Sequence, residues 1–159
     1  MTPITYIANN ESDTEQLGQA LADVLPDSTV ISLCGTLGAG KTRLVKAVAQ
    51  ACGIDPQQVS SPTFVLIQEY YGERTIYHMD AYRIKDDDEF LELGPEEYFD
   101  SSGLTFVEWA DRVSDCLPYE YLKIEIKVTG ETEREFEISG HQLAKELMDK
   151  LSQRISKAS

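Results

Sequence analysis

The run "GTLGAGKT" at 35–42 leaves this chain the fewest choices of fold. It stands between the apolar, β-branched "TVISLC" at 29–34 and "TRLVKAVAQACG" at 42–53, which is patterned as a helix and closed by Gly53. Gly35, Gly40, Lys41 and Thr42 satisfy G-x-x-x-x-G-K-[ST]. In that motif backbone N–H groups wrap phosphates, the lysine neutralises the outer ones, and the hydroxyl reaches a magnesium ion. The preceding strand is buried on both faces, so it belongs in the middle of a sheet. Because Gly38 is also present, the loop equally fits G-x-x-G-x-G-K-T, a form common in small-molecule kinases, and by itself does not choose the reaction.

The flanking segments extend the sheet. "ITYIA" at 4–8 reads as a strand, and Ser12 with Glu15 in "SDTE" has the spacing of a capping box. Leu17, Ala20, Leu21, Val24 and Leu25 then repeat at helical spacing up to Pro26. "FVLIQEYY" (64–71) and "RTIYHMD" (74–80), joined only by Gly72 and Glu73, predict an antiparallel hairpin. "LTFVEW" (104–109) predicts a buried strand, and 121–128 with 133–139 a second hairpin with one wet face. The segment 86–100 predicts a short helix and a loop at Gly94-Pro95. Leu143, Leu147, Leu151 and Ile155 mark a terminal helix over 140–157 whose stripe packs on the sheet. The expected fold is a single α/β domain over 1–159, a three-layer P-loop NTPase-like arrangement with a mixed, partly antiparallel central sheet and flanking helices.

Charge and composition narrow the partners. With 28 acidic against 14 basic residues, the net charge of −14 repels phosphate backbones, so direct tRNA or DNA binding is not expected. Three widely spaced cysteines fit neither a disulfide framework nor a zinc site and suit a reducing cytoplasm. No export leader and no apolar run long enough to span a membrane is legible, so a cytoplasmic protein without membrane contact is expected.

A magnesium-dependent phosphate site needs a carboxylate at the end of a neighbouring strand. Asp80 ends "TIYHMD" and Glu108 ends "LTFVE". Either binds the metal directly or through water while the other orients the attacking water. The nearest string to the guanine motif [NT]-K-x-D is "IKDD" at 84–87, which lacks its first residue, so adenine is the expected base. A P-loop kinase of a small molecule is the alternative. It would need basic side chains on a lid, yet 86–100 holds eight acids and no base.

"GTLGAGKT", "SSPTF" (60–64), "HMDAYR" (78–83) and "FVEWADR" (106–112) stand together in the order of one family. The chain resembles, essentially end to end, the TsaE (YjeE) family, bacterial P-loop ATPases of tRNA threonylcarbamoyladenosine synthesis. The resemblance implies ATP or ADP with Mg²⁺ as ligands, feeble intrinsic hydrolysis, and work with the TsaB–TsaD pair, reset between cycles by ATP hydrolysis. It implies contact with tRNA only through that complex, and a monomer is expected when the protein is alone. Carried onto this sequence, Gly35, Thr36, Leu37, Gly38, Ala39 and Gly40 form the nucleotide loop, with Lys41 and Thr42 in their P-loop roles. Ser61 and Thr63 belong to a switch-like loop that senses the terminal phosphate. Asp80 is the Walker B-type acid, Glu108 a Mg²⁺ ligand, and Lys41, Asp80 and Glu108 the catalytic set. Thr42, Asp80 and Glu108 form the metal set. Trp109 and Arg83 lie near the site, and Asn10, Glu11, Thr132 and Arg134 flank base and ribose. Lys145, Lys150, Arg154 and Lys157 sit on a less diagnostic terminal extension.

Blander roles compete for other residues. His78 reads first as a packed or hydrogen-bonded strand histidine, His141 as a helix-start residue, and Cys34 as a small hydrophobe. The tyrosines of "EYYGERTIY" read as strand formers, and the acidic run as a solvated face.

Overall fold

A computed structural model describes residues 3–36, 38–60 and 66–158. Leu37, Ser61, Thr63 and the start of the strand expected from 64 lie outside the described residues, as does the side chain of Lys157.

The alternating and continuous apolar runs become the strands β1 (Ile4–Ala8), β2 (Val30–Gly35), β3 (Ile67–Tyr70), β4 (Ile76–Asp80), β5 (Leu104–Glu108), β6 (Tyr121–Val128) and β7 (Arg134–His141). They form one sheet in the order β1-β7-β6-β2-β5-β4-β3. The four inner strands β6, β2, β5 and β4 run parallel. The pairs β3–β4, β6–β7 and β1–β7 are antiparallel, so the sheet is mixed with antiparallel edges. Every residue of β5 is buried, as a strand covered on both faces requires.

The helices α1 (Glu11–Val24), α2 (Lys41–Ala51) and α5 (Lys145–Ala158) cover one face. Leu17, Leu21, Leu44, Val48, Met148 and Leu151 pack there with Ile31, Leu33 and Phe106 of the sheet. On the opposite face Phe90 of α3 (Asp87–Leu91), Phe99 of α4 (Pro95–Phe99) and Val113 of the 3-10 segment Ala110–Cys116 pack on Val30, Met79 and Val107. Helices on both faces of a central sheet complete the three layers.

Several local expectations shift. α1 is capped by Asn10, not Ser12: Asn10 Oδ1 accepts Asp13 N at 2.9 Å and Asp13 Oδ2 accepts Asn9 N at 2.8 Å. β1 ends at Ala8 and Asn10 takes the cap, so the helix starts two residues early. The β3–β4 link is Tyr71 to Thr75, because Tyr70 pairs with Ile76. The acidic run makes two short helices, with Phe90 buried and Leu91 exposed. His141 ends β7, its ring stacked on Tyr121 at 4.6 Å. The terminal stripe is carried by Met148, Leu151 and Ile155, with Leu143 before the helix begins and only partly buried.

Candidate functional site at the phosphate loop

β2 delivers the chain to the carboxyl edge of the parallel strands, where open α/β sheets bind ligands. Gly38 and Gly40 then adopt φ of +78° and +115°, the left-handed region that favours glycine. A Cβ built on either meets no atom within 4 Å, so both face the open hollow of the loop. A backbone cradle of this kind leaves room for a phosphate to approach its N–H groups.

α2 begins at Lys41, whose side chain folds back over the loop. Its Nζ donates to Gly35 O at 2.8 Å and Thr36 O at 2.9 Å, and stands 4.0 Å from the centre of the Trp109 ring. Burial pushes the ammonium below the usual lysine range, and the Glu108 and Asp80 carboxylates oppose that shift. Trp109 reaches this place through a left-handed turn (φ +59°) directly after β5, with its N–H donating to Leu33 O at 3.0 Å. Tyr82 lies against it, ring centres 4.9 Å apart.

Asp80 and Glu108 are register partners at the ends of the parallel strands β4 and β5. Glu108 is buried at 3% exposure, and its Oε2 accepts the Thr42 hydroxyl at 2.9 Å and contacts His78 Nε2. Asp80 is more open: its Oδ1 accepts Tyr82 N at 2.9 Å. Burial raises the Asp80 carboxyl above the usual aspartate value, Glu108 adds to the rise, and the Tyr82 N–H and nearby His78 and Lys41 oppose it.

Lys41, Thr42, Asp80, Arg83, Glu108 and Trp109 thus line one cleft of about 530 Å³ over the loop. Asn10, Glu11, Thr132 and Arg134 line a second cavity of about 330 Å³ on the other side of Gly38–Gly40. Arg134 ties its wall together: Nε donates to Ala39 O at 3.1 Å, and Nη1 to Gly130 O and Glu133 O at 2.9 Å and Glu131 O at 3.3 Å. In that cavity Asn10 Oδ1 is committed to the helix cap, and Glu11 pairs with Arg43 at 2.5 Å.

Similarity to known proteins accords with this geometry. The model of the family described as threonylcarbamoyl adenosine biosynthesis protein TsaE matches residues 8–136. The chain belongs to the TsaE family. A TsaE described as a tRNA threonylcarbamoyladenosine biosynthesis protein, from Bacillus subtilis, is 42% identical over 136 residues, covering 85% of this chain and 84% of that one. One from Treponema pallidum is 34% identical over 133 residues, covering 84% and 98%. A crystal structure of Bacillus subtilis YdiB superposes with a TM-score of 0.77 at 31% identity, covering 98% of this chain and 95% of that one.

Within this TsaE fold, sequence reasoning passed over Arg43, Lys46 and Tyr82, which line the main cleft. Signals for them existed. Arg43 and Lys46 lie three apart on the helix that leaves the loop, and Tyr82 stands two residues past Asp80. His78, expected to be packed or hydrogen-bonded, is both.

Proposed function

We propose that this chain is a slow, partner-stimulated ATPase of tRNA threonylcarbamoyladenosine biosynthesis, converting ATP and water to ADP and phosphate. It works with a TsaB–TsaD pair and resets that complex between cycles. The observation that carries the reading is the convergence of Lys41, Thr42, Asp80 and Glu108 on one cleft beneath a glycine cradle. Family membership supplies the pathway.

The loop backbone and Lys41 bind the phosphates, and the cavity beside Asn10, Glu11, Thr132 and Arg134 takes base and ribose. The oxygen donors of Thr42, Asp80 and Glu108 suit Mg²⁺, a hard cation that prefers oxygen ligands. When bound there, the ion neutralises charge on the phosphate oxygens. Glu108, buried and hydrogen-bonded to Thr42, holds that hydroxyl in place. Asp80, the more open of the two acids and not committed to Thr42, orients the attacking water and takes its proton. As the water oxygen bonds to the terminal phosphorus, the bond to the leaving phosphate oxygen breaks. Lys41 stabilises the charge that results.

The net charge of −14 fits a protein that reaches tRNA through protein contacts in the cytoplasm and is monomeric when alone. One α/β nucleotide-binding domain carries these roles.

ADP production by the purified protein, alone and with a TsaB–TsaD pair, tests this. Slow turnover that rises strongly with the pair is expected. Transfer of phosphate to an added metabolite, with no response to the pair, would replace the ATPase by a kinase.

A further inference from the structure

Among the described residues, one buried side-chain polar atom has no hydrogen-bond partner: Nδ1 of His78. The imidazole is wholly buried, and its other nitrogen, Nε2, contacts Glu108 Oε2. The same oxygen accepts the Thr42 hydroxyl at 2.9 Å. A carboxylate only accepts, so Nε2 carries the hydrogen, and in the neutral ring Nδ1 then holds the lone pair. An orphan acceptor in a core is disfavoured, and a buried polar group left in that state calls for a reason.

The strand pairing supplies the placement. His78 and Asp80 lie two apart on β4 and so share one face of the sheet. Asp80 is the register partner of Glu108 and His78 that of Phe106, so His78 is the diagonal neighbour of Glu108, within reach of a long side chain. Gln68 lies opposite His78 on β3, and the Tyr70 ring centre is 6.5 Å from the imidazole. Apolar packing alone would be served as well by an aliphatic side chain without the orphan nitrogen.

We propose that His78 is a positioning residue for Glu108: its Nε2–H holds the carboxylate against the Thr42 hydroxyl, and so presents that hydroxyl oxygen to the cleft. Residues one step behind a metal ligand orient it in this way and tune its basicity. The role rests on the ATPase reading above.

Three measurements on the full chain test it. Nitrogen-15 NMR of the imidazole reads the tautomer: Nε2–H is expected, with that proton's resonance moving on Glu108→Gln. An Nδ1–H tautomer would overturn the donor. Calorimetry with ADP, with and without Mg²⁺, reads the second effect. His78→Leu should leave metal-free ADP affinity within about two-fold, while the half-saturating Mg²⁺ concentration rises about 10- to 100-fold. In steady-state kinetics kcat should fall by a similar factor with KM for ATP at saturating Mg²⁺ little changed. His78→Gln, whose longer amide reaches the carboxylate, should recover most of both effects.

His78→Leu with unchanged kcat and Mg²⁺ response would reduce the histidine to packing. Should His78→Leu not fold, His78→Gln against His78→Asn decides: the shorter asparagine amide falls short of Glu108, and equal behaviour of the two overturns the proposal. A parent protein that neither hydrolyses ATP nor gains ADP affinity from Mg²⁺ overturns the ATPase reading and the positioning role together. A parent that does both, with His78→Leu doing the same, overturns the positioning role alone.

Discussion

Asp80 and Glu108 stand side by side as register partners at the carboxyl ends of two parallel strands, one half-open and one buried. The pairing sets two carboxylates with different surroundings against the start of the same helix. Glu108 is fixed through Thr42, and among the described residues Asp80 Oδ1 accepts from the Tyr82 N–H. Adjacent acids in unlike environments divide into unlike roles.

Asp80→Asn should therefore cost activity and stabilise the fold. Asparagine keeps the oxygen that accepts from Tyr82 N and loses the charge that burial disfavours. The folded-state pKa of Asp80 is raised, so the folded protein holds the proton over a range where the unfolded chain has lost it. Stability falls as pH rises from the ordinary aspartate value through the folded value. The advantage of the substitution should accordingly be absent in strong acid and complete at neutral pH, where a rise of about 2 °C in melting temperature is expected. Calorimetric scans of both proteins across that range, beside an ADP-release assay, check it. A lower melting temperature at neutral pH would contradict the account.

Trp109 is the chain's single tryptophan, so its emission reports on one place. Lys41 Nζ lies over its ring and on two loop carbonyls, and a phosphate in the cradle would draw the ammonium away. Titration with ADP should change the emission. Lys41→Ala should abolish most of that change and weaken ADP binding by about ten-fold or more, or about 1.4 kcal/mol. Fluorescence titration gives both numbers.

Two glycine substitutions should separate site from fold. Gly40→Ala meets no neighbouring atom, so it costs stability only through its left-handed backbone, about 1–2 kcal/mol, while its methyl group intrudes on the phosphate cradle. Gly18→Ala puts a Cβ 2.5 Å from Ala47 Cβ, where α1 packs on α2, and should cost about 1–3 kcal/mol through overpacking. Nucleotide affinity should collapse in the first and persist in whatever fraction of the second is folded. Urea melts paired with ADP calorimetry distinguish them.

Arg134 joins the β6–β7 turn to the loop through four backbone carbonyls. Arg134→Ala should lower stability by about 1–2 kcal/mol and reduce ADP affinity in step with the loosened cavity wall. Arg134→Lys should not restore it, since a single ammonium lacks the fork that spans Ala39 and Gly130 together. ADP affinity of the two variants, measured side by side, is the check.

Much of this was legible in the residues. The phosphate loop announced its own strand and helix, because three glycines, a lysine and a threonine at fixed spacing serve few other purposes. The β3–β4 hairpin was readable from its short link, the β6–β7 hairpin from alternation, and Asp80 and Glu108 from their places at strand ends. Less legible were features set by what the chain meets in space. Asn9, Asn10 and Ser12 are all good caps by residue type, and only the folded backbone, in which Asn10 accepts Asp13 N, picks out Asn10. The contact of His78 was hidden because a histidine on a strand has no local signature for a carboxylate on the neighbouring strand.

The sequence by itself determined the cradle and the alternation of strands and helices, since each rests on local spacing that backbone geometry imposes, while the four motifs in order carried the resemblance to the family. Only the tertiary structure decided which acid is buried, which carboxylate His78 meets, and where Trp109 lies. Those depend on the register between β4 and β5 and on the turn that follows, and register arises from packing across the sheet.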